Sequence, residues 1–264
     1  MPYRVDLPDG SADAFDRLVE LDALDVEISH GNAIAALMPD SVPPEQVASA
    51  LGVDTVAVCP ARARDDGSVW VLSLRSVRVG RLLIVPAHFE AEPNALRLID
   101  ASAFGTGLHP TTALCLEAIE EAAEIDRPDA LLDVGTGSGV LALGALRLGV
   151  PRALSIDADE EALRVTAENA RLNELGDRLW LARGGPEAVA GTWPLVVANI
   201  LAAPLIEMAP DLVRRVGHHG HLVLSGIPSS AEQDVDQAYR RLGMRRVSVK
   251  SRAGWIALVM RASW

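Results

Sequence analysis

The segment Leu131-Leu-Asp-Val-Gly-Thr-Gly-Ser-Gly139 constrains this chain more than any other. A short apolar run enters a loop of three alternating glycines, and an apolar stretch with helical spacing follows over 140–148. Glycine allows a tight turn and lets a ligand lie against the backbone. In open α/β sheets such a loop sits at the carboxyl end of a strand, where ligands bind. The rest of the chain from residue 109 repeats the alternation. It predicts helices over 110–124, 140–148, 160–173, 204–216 and 230–242, and strands over 130–134, 153–157, 179–182, 195–198 and 221–224. This order implies a parallel sheet with helices on both faces. The last two strands, 245–249 and 255–260, are joined by a turn too short for a crossover, so they must be antiparallel.

The first 61 residues read differently. A strand over 3–7 precedes a helix capped by Ser11 and running through Glu20. A hairpin of 26–29 and 33–38 turns at His30-Gly31-Asn32. Pro43 opens a helix through Leu51, and a strand over 55–61 closes the set. The order β-α-β-β-α-β predicts a small α+β domain of ferredoxin-like topology over 1–61. The polar break at Arg62–Gly67 begins a linker placed at 62–80, and residues 70–79 fit neither element type well. The second domain is then 81–264, opening with strands over 82–85 and 96–99.

Composition narrows the chemistry. The net charge of −12 weighs against a nucleic-acid surface, which needs a basic footprint, and favours a basic partner. Cys59 and Cys115 form no Cys-x-x-Cys pair, so neither a zinc cluster nor a disulfide framework is expected. The start lacks the basic and apolar regions of a signal peptide, and no apolar run reaches the ~18 residues of a membrane span. A cytoplasmic, soluble protein without membrane contact is expected, as a monomer. Lys250 is the only lysine. That closes the Walker-type phosphate loop, which needs Gly-Lys-Ser/Thr, and weighs against Schiff-base chemistry.

Two cofactor classes use a strand-glycine loop-helix unit. The dinucleotide fingerprint is Gly-x-Gly-x-x-Gly. Here the glycines are Gly135, Gly137 and Gly139, and Val140 stands at the dinucleotide position. The spacing Gly-x-Gly-x-Gly is the S-adenosylmethionine pattern. Asp157 ends the next strand, where an acid accepts from ribose hydroxyls in either class, and Asp159 reads as a helix cap. A second glycine segment, Ala103-Phe-Gly-Thr-Gly-Leu-His-Pro-Thr-Thr112, leads into a helix whose first amides can bind a carboxylate. Phe104 there can pack on an aromatic or sulfonium group, and His109 is either a base or a helix cap. Asn199 stands at the tip of a buried strand in Val196-Val-Ala-Asn-Ile-Leu201. It offers a carbonyl acceptor and an amide donor, or it caps the next helix.

These segments, in this order and spacing, resemble the ribosomal protein L11 methyltransferase family over about residues 80–261. Leu224-Ser-Gly-Ile227 resembles that family's sixth strand and turn. Asp100-Ala-Ser102 and Pro86-Ala-His88 depart from the family's Asp-Pro-Gly and Pro-Trp, and the first 55 residues carry none of its motifs. The resemblance implies a doubly wound, mostly parallel, seven-stranded Rossmann-like sheet behind a substrate-recognition domain. It implies transfer of methyl groups from S-adenosylmethionine to lysine side chains and the terminal amine of L11, without a metal. The cofactor would be held by Phe104, Gly105, Thr106, Gly107, Thr112, Asp133, Gly135, Thr136, Gly137, Gly139, Asp157 and Asn199. The catalytic contacts would be the Asn199 side chain and the Ile200 backbone carbonyl. Alternative readings are a methyltransferase with another substrate, a nicotinamide-dependent oxidoreductase, and a non-catalytic binding protein that kept the fold.

Overall fold

The computed structural model describes residues 2–7, 12–28, 34–61, 76–88, 92, 94–99, 109–252 and 254–264. They fall into two units, Met1–Leu74 and Arg75–Trp264.

The first unit contains β1 (Tyr3–Leu7), α1 (Ala12–Glu20), β2 (Asp25–Ile28), β3 (Ile34–Met38), α2 (Pro44–Leu51) and β4 (Ala57–Pro60). The strands pair in the order β2-β3-β1-β4, and every neighbouring pair is antiparallel. Each helix therefore joins two strands that are not neighbours, which is the ferredoxin-like topology expected from the sequence. Val5, Leu18, Ala36, Met38 and Val47 form its core. The Tyr3 hydroxyl donates to Val42 O at 2.6 Å and ties the first strand to the turn before α2. The hairpin turn at 30–32 lies outside the described residues.

The second unit opens with β5 (Val77–Val79), β6 (Leu82–Pro86) and β7 (Leu96–Leu98), a small sheet in that order. Strand β5 lies within the stretch read as linker and pairs with β6. There follow α3 (Pro110–Ile125), β8 (Ala130–Val134), α4 (Val140–Arg147), β9 (Arg152–Asp157), α5 (Glu160–Leu172), β10 (Leu179–Arg183) and β11 (Trp193–Asn199). The chain then forms α6 (Ala202–Glu207), α7 (Ala209–Arg215), β12 (Val216–Pro228), α8 (Glu232–Arg241), β13 (Met244–Arg252) and β14 (Trp255–Ala262). Seven strands make one sheet in the order β10-β9-β8-β11-β12-β14-β13. Strands β8 to β12 are parallel, and β14 runs antiparallel to both β12 and β13. The antiparallel final pair is as expected.

Both faces of the sheet are covered. Successive strand residues point to opposite sides. Leu131, Leu195, Val197 and Val223 join the core with Leu116, Ile119 and Leu143 of α3 and α4. Their neighbours Leu132, Val196, Leu222 and Leu224 join the core with Leu205, Leu212 and Tyr239 of α6, α7 and α8. Two ion pairs, Lys250 with Glu121 at 2.6 Å and Arg252 with Glu117 at 2.8 Å, tie β13 to α3.

Two sequence expectations are corrected. The single helix over 204–216 is two helices, α6 and α7, meeting at Met208. Pro210 is the reason: it has no N–H to continue α6, but it is tolerated in the first turn of a new helix. The strand expected at 221–224 runs from Val216 to Pro228, with register shifts against β11 and, between Leu224 and Ile227, against β14. Gly226, at φ 82, lies in that second irregularity.

Candidate active site

The strand order reverses at β8 and β11. From there β9 and β10 lie on one side, and β12, β14 and β13 on the other. Such a switch point opens a crevice at the carboxyl ends of the strands. A cavity of about 590 Å³ lies there, within the size range of small-molecule sites. It is lined by the loop after β8, the ends of β9, β10 and β11, the start of α3, α6, Gly226 and Trp255.

The glycine loop is held by hydrogen bonds at nearly every step. Gly135 N and Thr136 N donate to Ile156 O at 2.9 and 3.1 Å, and Gly139 N donates to Thr136 O at 2.9 Å. Asp157 uses both carboxylate oxygens. Oδ2 accepts from Gly137 N and Oδ1 from Asp159 N, each at 3.0 Å. Asp159 itself caps α5, accepting from Glu161 N. Gly135 is at φ 73, and a Cβ on it would stand 2.7 Å from Ile200 Cγ2. A Cβ on Gly139 would stand 2.7 Å from Thr166 Cγ2. Asp133 lies beneath the loop, fully buried, and accepts from Thr136 Oγ1 at 2.7 Å. Burial pushes its carboxyl up to about 7, although the Thr136 hydroxyl pulls the other way.

Asn199 ends β11 and faces the same cavity. Its Nδ2 lies 3.5 Å from Thr112 Oγ1. Its Oδ1 is buried and has no hydrogen-bond partner among the described residues. The cap of α6 is Leu201, so Asn199 is not spent on capping. Ile200 N donates to Ser225 O at 3.1 Å, and a Cβ on Gly226 would stand 2.2 Å from Ile200 O. Only glycine allows β12 to approach the Asn199-Ile200 turn this closely.

His109 caps α3. Its Nδ1 lies 2.7 Å from Thr111 Oγ1 and accepts from Thr111 N at 3.3 Å. The ring meets Trp255 edge-on, with centroids 5.1 Å apart. Burial pushes its pKa down to about 4, so it is neutral at pH 7 and a weak base. The geometry matches the cap reading of His109.

Of the residues singled out from sequence, Thr112, Gly135, Thr136, Gly137, Asp157, Asn199 and Ile200 line one cavity. Asp133 and Gly139 stand behind the loop, the first under Thr136 and the second against α5. Phe104, Gly105, Thr106 and Gly107 lie outside the described residues. The sequence reading missed the apolar wall of Leu201, Pro204, Met208 and Trp255, and the Gly184-Gly185-Pro186 turn. That turn follows the strand beside β9, so the rule that ligands bind at strand carboxyl ends would have found it. Trp255 had no such signal, because only the antiparallel return of β14 brings it to the site. Among the described residues no cluster of side chains suits a metal ion.

Comparison with known proteins is consistent with this geometry. The family model described as ribosomal protein L11 methyltransferase (PrmA) matches residues 45–263. A ribosomal protein L11 methyltransferase of Pelobacter propionicus is 39% identical over 219 residues, covering 80% of this chain and 71% of its own length. One from Syntrophotalea carbinolica is 34% identical over 254 residues, covering 89% and 83% respectively. The crystal structure of a ribosomal protein L11 methylase from Lactobacillus delbrueckii subsp. bulgaricus is similar with a TM-score of 0.65 at 30% identity. That match covers 71% of this chain and 98% of the other.

Proposed function

Since the chain belongs to the ribosomal protein L11 methyltransferase family, we propose that it transfers methyl groups from S-adenosylmethionine to amines of ribosomal protein L11, namely lysine side chains and the terminal amine. The observation that carries this reading is Asn199 Oδ1, buried at the cavity and without a hydrogen-bond partner among the described residues. A buried acceptor without a donor is costly, and a ligand hydrogen would satisfy it.

The residues present suit the cofactor. Gly135 and Gly137 offer backbone without side chains, and Asp157 is a carboxylate at the strand end next to them. Gly184, Gly185 and Pro186 give an uncharged wall on the far side of Asp157. When bound, the cofactor supplies an activated methyl on a sulfonium.

This chain's own part is to present a neutral amine. A free lysine has a pKa of about 10.4 and is mostly protonated near neutrality. The apolar wall of Ile200, Leu201, Met208 and Trp255 favours the uncharged form by desolvation. His109, neutral and engaged with Thr111, adds no positive charge. Asn199 Oδ1 and the Ile200 carbonyl accept amine hydrogens and so aim the lone pair. Catalysis is then mostly positioning. The first unit, with its separate core, is assigned to substrate recognition.

The test is mass spectrometry of purified L11 after incubation with this protein and the cofactor. Gains in steps of one methyl, about 14 Da, are expected, and fragment ions give the sites. No gain, with cofactor binding shown separately, would remove L11 as substrate and leave a methyltransferase of another target.

A further inference from the structure

One face of α5 and its C-cap carries three polar side chains, Thr166, Asn169 and the capping Asn173, exposed to only 0%, 0% and 3%. A helix that had only to pack would place apolar residues there. Buried polar groups need partners, and these find theirs on the backbone of two other segments. On one side Thr166 Oγ1 donates to Gly137 O and Asn169 Nδ2 to Ser138 O, each at 2.9 Å. On the other, Ile99 N donates to Asn169 Oδ1 at 2.8 Å. Arg97 N donates to Asn173 Oδ1 at 2.8 Å, and Asn173 Nδ2 returns a bond to Arg97 O at 2.6 Å. Asn169 thus holds the glycine loop with its nitrogen and the end of β7 with its oxygen. In sequence, the chain runs from Ile99 towards Phe104-Gly-Thr-Gly107, the second glycine segment.

We propose that Thr166 and Asn169 are positioning residues for cofactor binding, which fix the Gly137 and Ser138 carbonyls and couple the glycine loop to the strand that leads to the second glycine segment. The inference rests on the methyltransferase reading above. Gly137 is held at both ends: Asp157 accepts from its N–H, and Thr166 donates to its carbonyl. Its φ of 56 is left-handed, and glycine has little intrinsic preference for that conformation. The two bonds therefore select it. Without the Thr166 hydroxyl the peptide after Gly137 loses one of the bonds that fix its orientation. The glycine loop that lines the cavity then loses part of its set shape before any ligand arrives.

The experiment is calorimetric titration of S-adenosylmethionine into the full-length protein and its Thr166→Val, Thr166→Ser and Asn169→Asp variants, with amide hydrogen exchange of each in the absence of ligand. Thr166→Val removes one hydrogen bond at constant shape and should weaken binding about fivefold to tenfold. Thr166→Ser keeps the hydroxyl and should restore most of the affinity. Asn169→Asp keeps the acceptor for Ile99 but turns a carboxylate oxygen towards the Ser138 carbonyl, and should weaken binding at least as much. Faster exchange over residues 135–140 is expected in Thr166→Val and Asn169→Asp. The KM for the cofactor should rise while that for the protein substrate holds. Variants that bind as tightly as wild type, or a Thr166→Ser as weak as Thr166→Val, overturn the inference. If Asn169→Asp fails to fold, the Thr166 pair decides alone. Wild-type protein that does not bind the cofactor overturns the methyltransferase reading itself, and this inference with it.

Discussion

Asn199 combines two properties: a side-chain oxygen buried without a partner among the described residues, and a nitrogen already next to Thr112 Oγ1. The oxygen is therefore the end that still lacks a donor, the one assigned above to a substrate amine. Asn199→Ala should lower kcat by two orders of magnitude or so, the usual scale for loss of a positioned transition-state contact, and leave the cofactor dissociation constant nearly unchanged. Single-turnover kinetics with a parallel binding titration separates the two, and unchanged turnover would remove Asn199 from the chemistry. Asp133 makes a different prediction. Its pKa is about 7 in the folded protein, above the ordinary value of 3.8, so the folded state binds its proton more tightly than the unfolded chain. Its contribution to stability is full below about pH 4 and is lost as pH rises towards 7, on the order of a few kcal/mol. Asn at this position removes the titration. Denaturant midpoints of wild type and Asp133→Asn should therefore diverge with rising pH, in favour of the variant. Both residues were legible in sequence as strand-end groups. The role proposed for Asn199 was read from that position too, but the state of Asp133 was not, because its burial and its bond to Thr136 depend on packing.

The break between α6 and α7 matters to the site, because Pro204 and Met208 at the two ends of α6 line the cavity. A helix of six residues has little stability of its own. Tyr239, fully buried on α8, donates its hydroxyl to Leu205 O at 2.8 Å and supplies a bond from outside the helix. Tyr239→Phe keeps the ring but leaves that carbonyl short of a donor. It should cost about 1–3 kcal/mol in equilibrium unfolding, and raise KM for the protein substrate more than it lowers kcat. An unfolding curve that superimposes on wild type would show that Leu205 O finds another donor. The sequence periodicity ran through this break because Pro210 falls where a first helical turn accepts proline, so the apolar spacing continues across the junction. The length of β12 was hidden for a related reason. Gly217, His218, His219 and Gly220 lie between the expected helix and strand and carry no strand pattern, and only pairing with β11 and β14 recruits the flanking residues into one irregular strand.

At the scale of the molecule, every described cavity residue belongs to the unit Arg75–Trp264. A ligand that binds only the folded form stabilises the unit that holds it. Cofactor at one hundred times its dissociation constant should add about 2.7 kcal/mol. In scanning calorimetry the transition of the larger unit should move up; a shift confined to the smaller unit would place the binding site there, and an unchanged scan would mean that the cofactor does not bind. The alternation of strand and helix made this unit's sheet readable because both faces are buried, so each strand shows as a solid apolar run. The first unit was readable as a topology from its turn residues alone, though its role was not, since recognition depends on surface residues that follow no period. Lys250, the chain's one lysine, has a side chain only 19% exposed and is paired with Glu121. On the proposed lysine activity, a chain with a single, engaged lysine is a poor lysine substrate for itself. In a reaction with its protein substrate, methyl found on lysine would then come from the partner or from one nitrogen of this chain, so digestion and counting of methyl-lysine reads the substrate almost alone.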